Sequence, residues 1–218
     1  TPWLEQIIGI KREYPLTYKK DKKLKPQYIV EKVCEVAGDS AIIATEVGQN
    51  QMWTAQYYKF TEPRTFLTSG GLGTMGYGLG ASMGAQIASP NRQVFNISGD
   101  GCFHMNCNEL STAVKYNIPI IVVILNNQVL GMVRQWQNLF YDKRFSSTTL
   151  EKATDIVKLA EAFGATGFNV TKNEEIGDVL RKAMDIEGPV VINCEIDRDE
   201  MVLPIVPPGK NIDDLVME

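Results

Sequence analysis

Histidine is nearly absent from this 218-residue chain: His104 is the only one. The four cysteines, Cys34, Cys102, Cys107 and Cys194, form no Cys-x-x-Cys pair. A zinc centre built from Cys and His needs ligands at short, regular spacing, which this pattern does not supply. Free thiols in a reducing compartment are the better reading. An excess of positive charge is also missing, with 22 Lys and Arg against 26 Asp and Glu. Such a balance disfavours a nucleic-acid partner, because gripping phosphates requires a cationic surface. The longest apolar run, Ile118 to Leu125, is interrupted by Pro119 and is far too short to span a bilayer. No internal repeat, low-complexity tract or signal-peptide pattern is evident.

What is present is an alternation of short apolar runs and helical periodicity. Pro26 opens a helix whose Ile29, Val30, Val33, Cys34 and Ala37 share a face, with Gly38-Asp39-Ser40 as its stop. Strands are expected over 41–45, 64–68, 93–98, 120–125, 166–170 and 189–196. Helices are expected over 74–88, 106–116, 131–140, 153–163 and 174–186. Strands separated by helices imply right-handed crossovers around a parallel sheet. The run Ile120-Ile-Val-Val-Ile-Leu125 is apolar on both faces, as a central strand requires. The expected fold is α/β, about six strands in a mostly parallel sheet with helices on both faces. Residues 1–23, with Lys19-Lys20-Asp21-Lys22-Lys23, read as an entering helix and exposed linker. Residues 24–200 form the domain, and 201–218, with Pro204, Pro207, Pro208 and Gly209, an extended tail.

The helix expected over 74–88 contains Gly76, Gly78, Gly80 and Gly84. Four helical glycines cost together about 2–4 kcal/mol, so close packing has to offset them. Gly76, Gly80, Gly84 and Ala88 fall four apart and line one face. Packing within the chain and packing at a subunit or domain interface both answer to that pattern.

Two polar groups carry the chemistry. Gly99-Asp100-Gly101 follows one expected strand, and Asn126-Asn127 follows the next, 27 residues later from Asp100 to Asn127. One strand–helix–strand crossover returns the chain to the same sheet edge, the edge where open α/β sheets bind ligands. Two hard oxygen donors beside a glycine-rich turn suit Mg²⁺ and a phosphate. No Gly-x-x-x-x-Gly-Lys-Ser/Thr loop occurs, and Gly71-Leu72-Gly73-Thr74-Met75-Gly76 lacks the acidic residue a dinucleotide fold places about twenty positions later.

These two groups together resemble the thiamine diphosphate motif. Val47-Gly48-Gln49-Asn50-Gln51-Met52-Trp53, Gly71 to Gly76, Leu130-Gly-Met-Val-Arg-Gln-Trp-Gln137 and Val206-Pro-Pro-Gly-Lys210 are similar to the acetolactate (acetohydroxyacid) synthase catalytic subunit, from about residue 24 onward. The resemblance implies thiamine-diphosphate- and Mg²⁺-dependent decarboxylation of pyruvate and condensation with a second 2-oxoacid, in branched-chain amino acid biosynthesis. It implies Asp100, Asn127 and the Val129 carbonyl as metal ligands. Gln49, Asn50, Gly101 and Cys102 would face the diphosphate, and Gly73 and Met75 the aminopyrimidine. Met132 would wedge the cofactor into a bent shape, and Met132, Val133 and Trp136 would border the substrate channel, with 2-oxobutyrate or pyruvate as acceptor. Family members are longer; a first domain supplies the catalytic glutamate and a middle one most of the FAD site. The expectation is therefore a carboxy-terminal portion with no catalytic residue of its own, inactive alone. In the whole enzyme it would be homodimeric or homotetrameric, open to a regulatory subunit, and cytoplasmic if bacterial. Asn50 stands for a usual histidine, Glu46 for aspartate and His104 for glutamine, which leaves Asn50 unable to become cationic. The alternatives are another thiamine diphosphate enzyme (2-oxoacid decarboxylase, pyruvate oxidase, glyoxylate carboligase) and a catalytically silent assembly domain.

Overall fold

A computed structural model describes residues 1–150 and 154–217. Six strands, β1 (Ile42–Thr45), β2 (Phe66–Leu67), β3 (Val94–Gly99), β4 (Ile121–Asn126), β5 (Thr166–Val170) and β6 (Val190–Glu195), form one sheet in the order β2-β1-β3-β4-β6-β5. Every pairing is parallel. Along β4 the side chains alternate between two cores, as period-two geometry demands. Ile121, Val123 and Leu125 join Ile29, Val33, Trp53 and Leu180 on one face. Ile120, Val122 and Ile124 join Leu79, Phe103, Leu110 and Ala160 on the other. Helices α2 (Pro26–Ala37), α3 (Gln49–Tyr57) and α9 (Asn173–Met184) cover the first face. The second is covered by α4 (Tyr77–Ala88), α5 (Asp100–Asn106), α6 (Leu110–Lys115) and α8 (Ile156–Phe163). The α/β fold expected from the alternation is the one observed.

Several boundaries differ. Helix α3 has no counterpart among the expected helices: it buries Gln49, Asn50 and Thr54 beside Trp53, so no apolar stripe marks it. The helix expected over 106–116 begins at Asp100 and breaks at a 3-10 turn, Cys107–Glu109, before α6. The one expected from Thr74 begins at Tyr77, because Gly73 and Gly76 adopt φ of 61° and 90°. The strand expected over 64–68 shrinks to Phe66–Leu67, since Arg64 has positive φ. Of the helix expected over 153–163, Ala153 lies outside the described residues and the rest starts at Ile156, where the Asp155 carboxylate accepts the Lys158 N–H.

Glycine packing in α4 falls on a different face from the expected one. A Cβ on Gly78 would lie 2.7 Å from Asn96 Oδ1 and 2.9 Å from the Glu46 nitrogen, so Gly78 allows α4 to sit on β1 and β3. A Cβ on exposed Gly80 or Gly84 would meet nothing. Among the terminal segments, α1 (Pro2–Glu13) buries no residue, whereas the extended stretch after β6 buries Val202 completely and closes an antiparallel bridge between Ile205 and Val216.

Candidate cofactor and metal site

Strands β1, β3 and β4 are neighbours, and all three end at the same edge. From β1 the chain turns outward to β2, whereas from β3 it turns the other way to β4, so the loops after β1 and β3 part there. Such a reversal leaves a crevice for ligands at the carboxyl ends of the strands. Into it come Val47–Asn50 after β1, Asp100–Cys102 after β3, and Asn127–Val133 after β4. Helix α7 (Gly131–Phe140) starts inside this last group.

The cavity lining includes Gln49, Asn50, Gly73, Met75, Asp100, Gly101, Cys102, Asn127, Val129, Met132 and Val133, eleven of the twelve residues singled out above. Trp136 lines an adjoining cavity with Gln137, Tyr141 and Arg144, and Met132 and Val133 wall both. Trp136 is 37% exposed and packs edge-to-face on Phe140.

Register explains how Asp100 meets Asn127. Gly99 pairs with Leu125, so the next residues out from the sheet are Asp100 and, one step further, Asn127. Burial pushes the Asp100 carboxyl from 3.8 up to about 6, opposed by backbone N–H groups including those of Gly101 and Asn127. A carboxylate desolvated to that degree suits a cation more than a proton at neutral pH. The Asn pair divides its work: Asn126 donates to Asn193 Oδ1 within the sheet, and Asn127 turns to the cavity. Asn127 Oδ1 accepts the Val129 N–H at 3.2 Å, which leaves one lone pair free. The two hydrogen bonds of the Val129–Thr149 bridge run between Leu130 and Thr148 and between Leu150 and Gln128, so neither uses the Val129 carbonyl. Carboxylate, amide oxygen and peptide carbonyl make a hard donor set that fits Mg²⁺. Among the described residues no three His, Cys, Asp or Glu side chains group together, so a metal here would have to draw on such neutral oxygens.

The residues expected to face a diphosphate all line the cavity, and several also bond within the chain. Gln49 faces inward: its Nε2 donates to Gln135 Oε1 and the Glu200 carbonyl, and its Oε1 accepts from Asn127 Nδ2. Asn50 spends its Nδ2 on the Val47 carbonyl at 3.0 Å, leaving Oδ1 buried without a partner. Trp53 Nε1 is likewise unpartnered beside the cavity. Cys102 donates to the same Val47 carbonyl, and burial pushes its thiol up to about 12, so it is a packing group and no nucleophile. Exposed His104 bonds the Asp100 carbonyl through Nδ1 at 2.7 Å. A Cβ on Gly101 would press to 2.8 Å on the end of the Leu130 side chain.

Sequence reasoning missed two features. Glu46, fully buried, caps α4 from a distance by accepting the N–H groups of Gly76 at 2.7 Å and Leu79 at 3.2 Å, which fixes the turn carrying Gly73 and Met75; burial raises its pKa. Gln135, buried in α7, pairs with the backbone of Val202. No local signal marks Gln135, since α7 also carries Arg134, Gln137 and Asn138 and Gln135 is its one buried residue.

Parallel strands ending in an aspartate and an asparagine, beside a glycine-lined cavity, define a cofactor-binding domain of the diphosphate type. Residues 46–194 match the profile of the thiamine pyrophosphate enzyme C-terminal TPP binding domain, and the chain belongs to that family. Its curated relatives sharpen the likeness. It is 45% identical to the acetolactate synthase catalytic subunit, mitochondrial, of Saccharomyces cerevisiae, over 98% of this chain and 32% of that protein. The acetolactate synthase of Mycobacterium bovis is 44% identical over 98% of this chain and 36% of its own length. The probable acetolactate synthase large subunit of Methanocaldococcus jannaschii is 43% identical over 98% and 37%. The chain thus spans about a third of the length of these relatives.

Proposed function

We propose that this chain is the cofactor-anchoring part of an acetolactate synthase, a thiamine-diphosphate- and Mg²⁺-dependent enzyme that decarboxylates pyruvate and joins the product to a second 2-oxoacid. One observation carries the reading: Asp100, Asn127 and Val129 line one cavity, which Met132 also walls. In this reading residues 24–200 are the cofactor domain, 1–23 its lead-in and 201–218 a tail laid against it.

When bound, thiamine diphosphate supplies the nucleophilic carbon and the electron sink that decarboxylation requires. The chain's share is positioning. Asp100, Asn127 and Val129 would hold Mg²⁺ against the diphosphate, and the amides of Gly101 and Cys102 would complete the cradle. Met132, between the two cavities, would shape the cofactor and face the reacting centre. Orientation of this kind is worth several kcal/mol of barrier. Among the described residues Asp100 is the only carboxylate in the lining and would be committed to the cation, so this reading assigns the proton-transferring glutamate to another part of the enzyme. FAD, a homodimeric or homotetrameric assembly, a regulatory subunit and, for a bacterial source, a cytoplasmic location belong to the same proposal. Among the described residues no helix is long and apolar enough to cross a membrane.

The adjoining cavity, with Trp136 as its flat wall, would receive the acceptor 2-oxoacid. One methylene in an apolar pocket is worth about 1–3 kcal/mol. In the complete enzyme, Trp136→Leu is expected to lower the preference for 2-oxobutyrate over pyruvate about tenfold, read as the ratio of acetohydroxybutyrate to acetolactate. An unchanged ratio refutes the assignment of this wall, and formation of neither product refutes the synthase reading.

A further inference from the structure

We propose that the peptide group of Val202 dictates which end of the Asn127 side-chain amide faces the cation, acting through Gln135 and Gln49, and that both glutamines are therefore positioning residues. The proposal rests on the metal-site reading above and goes beyond it.

An asparagine side chain is nearly symmetric in shape, yet its oxygen ligates a cation and its NH₂ repels one. Something has to fix its polarity. A peptide group cannot exchange its N–H for its C=O, so a chain of amides anchored on one inherits a direction. Gln135 meets Val202 twice: its Nε2 donates to the Val202 carbonyl at 2.9 Å, and its Oε1 accepts the Val202 N–H at 2.8 Å. The same Oε1 accepts from Gln49 Nε2 at 2.9 Å, and the Glu200 carbonyl takes a second bond from that nitrogen at 2.7 Å. Gln49 must then present Oε1 to Asn127, whose Nδ2 donates to it at 3.2 Å. Asn127 Oδ1 is left to accept the Val129 N–H, and Asn127 lines the cavity together with Asp100. Reversing Asn127 would set oxygen against oxygen at Gln49 and N–H against N–H at Val129.

Burial and space reinforce the ladder. Gln49 and Gln135 are 4% and 2% exposed, so water offers no alternative partner. The ladder crosses the start of α7 only because residue 131 is glycine: a Cβ there would overlap Gln49 Oε1 and lie 2.7 Å from Asn127 Nδ2. The segment supplying the anchor is itself held down, by ion pairs of Lys25 with Glu200, Lys23 with Asp197, and Arg134 with Asp199.

The test is Gln135→Met, which keeps the volume and removes the polarity, measured in the full chain by titrating Mg²⁺ at saturating thiamine diphosphate. Mg²⁺ affinity is expected to fall about tenfold, the lower end for a group that orients a ligand. In an Asn127→Asp background the two oxygens are equivalent and no polarity remains to be set, so the same substitution is expected to cost nothing or to tighten binding. An equal loss in both backgrounds, or no loss in the native one, overturns the proposal. Gln49→Met serves if Gln135→Met does not fold, with the same expectation. A metal-free arm separates this idea from the metal-site reading: hydrogen exchange of the Asn127 side-chain NH₂, followed by NMR, should be slow in the native chain and fast in Gln135→Met. Failure of the native chain to bind Mg²⁺ with a ladder intact by exchange defeats the site reading alone, whereas unchanged exchange in the variant defeats the ladder.

Discussion

Asp100→Asn should make the metal-free protein more stable while destroying its site. The carboxyl ionises near 3.8 in the unfolded chain and near 6 in the fold. Between those values the folded state holds a proton that the unfolded chain has lost, so stability falls as pH rises through the window. At about 1.4 kcal/mol per pH unit the loss reaches about 3 kcal/mol by pH 7. Asparagine carries no such penalty but has one oxygen for the N–H groups of Gly101 and Asn127, a loss of about 1 kcal/mol. The net gain at pH 7.5 is about 2 kcal/mol, or about 4–8 °C in melting temperature for a chain of this size. Urea unfolding in EDTA, run from pH 4 to pH 7.5 on both proteins, measures it. Asp21, Glu35, Asp155, Glu175 and Asp197 are all held below their ordinary values by lysines or backbone N–H groups, so they lose stability as pH falls. They do so in both proteins, and the difference between the two curves isolates Asp100. That difference should grow from pH 4 to pH 7. Mg²⁺ with thiamine diphosphate should then stabilise the native protein, by about 2.7 kcal/mol at a hundredfold excess over Kd, and leave the variant unmoved. Parallel pH curves would show that Asp100 is not the strained group inferred here.

The α4 glycines separate two faces of one helix. Gly78→Ala should cost about 1–3 kcal/mol by overpacking against Asn96 and Glu46, whereas Gly80→Ala and Gly84→Ala should stabilise by about 0.5–1 kcal/mol, all by urea unfolding. Glu46→Ala strands the Gly76 and Leu79 N–H groups and should cost about 2–3 kcal/mol, with faster hydrogen exchange confined at first to residues 76–79.

Much of this architecture is written locally. The doubly apolar run at 120–125 announces a central strand, and Gly131–Phe140 and Thr166–Val170 appear with the boundaries the residue pattern suggests. The convergence of Asp100 with Asn127 is legible because one crossover has a predictable length and returns to a predictable edge. What escapes is whatever depends on distant polar partners. Helix α3 is invisible to hydrophobic periodicity because its buried residues include Gln49, Asn50 and Thr54. Gln49 is held by distant partners, Thr54 bonds back to the Asn50 carbonyl, and Asn50 donates to the Val47 carbonyl. The period of four in α4 identifies a stripe of small residues but cannot say which side of the helix the sheet will take, and the sheet takes Gly78. The links of the Val202–Gln135–Gln49–Asn127 ladder join positions 67, 86 and 78 residues apart. No local pattern encodes such a pairing.

The most direct test is crystallographic. Crystals grown with Mn²⁺ in place of Mg²⁺, together with thiamine diphosphate, should give a single anomalous peak in the cavity. It should lie about 2.0–2.3 Å from an Asp100 carboxylate oxygen, Asn127 Oδ1 and the Val129 carbonyl alike. A cation bound to the diphosphate with Asp100 or Asn127 pointing elsewhere would contradict the account.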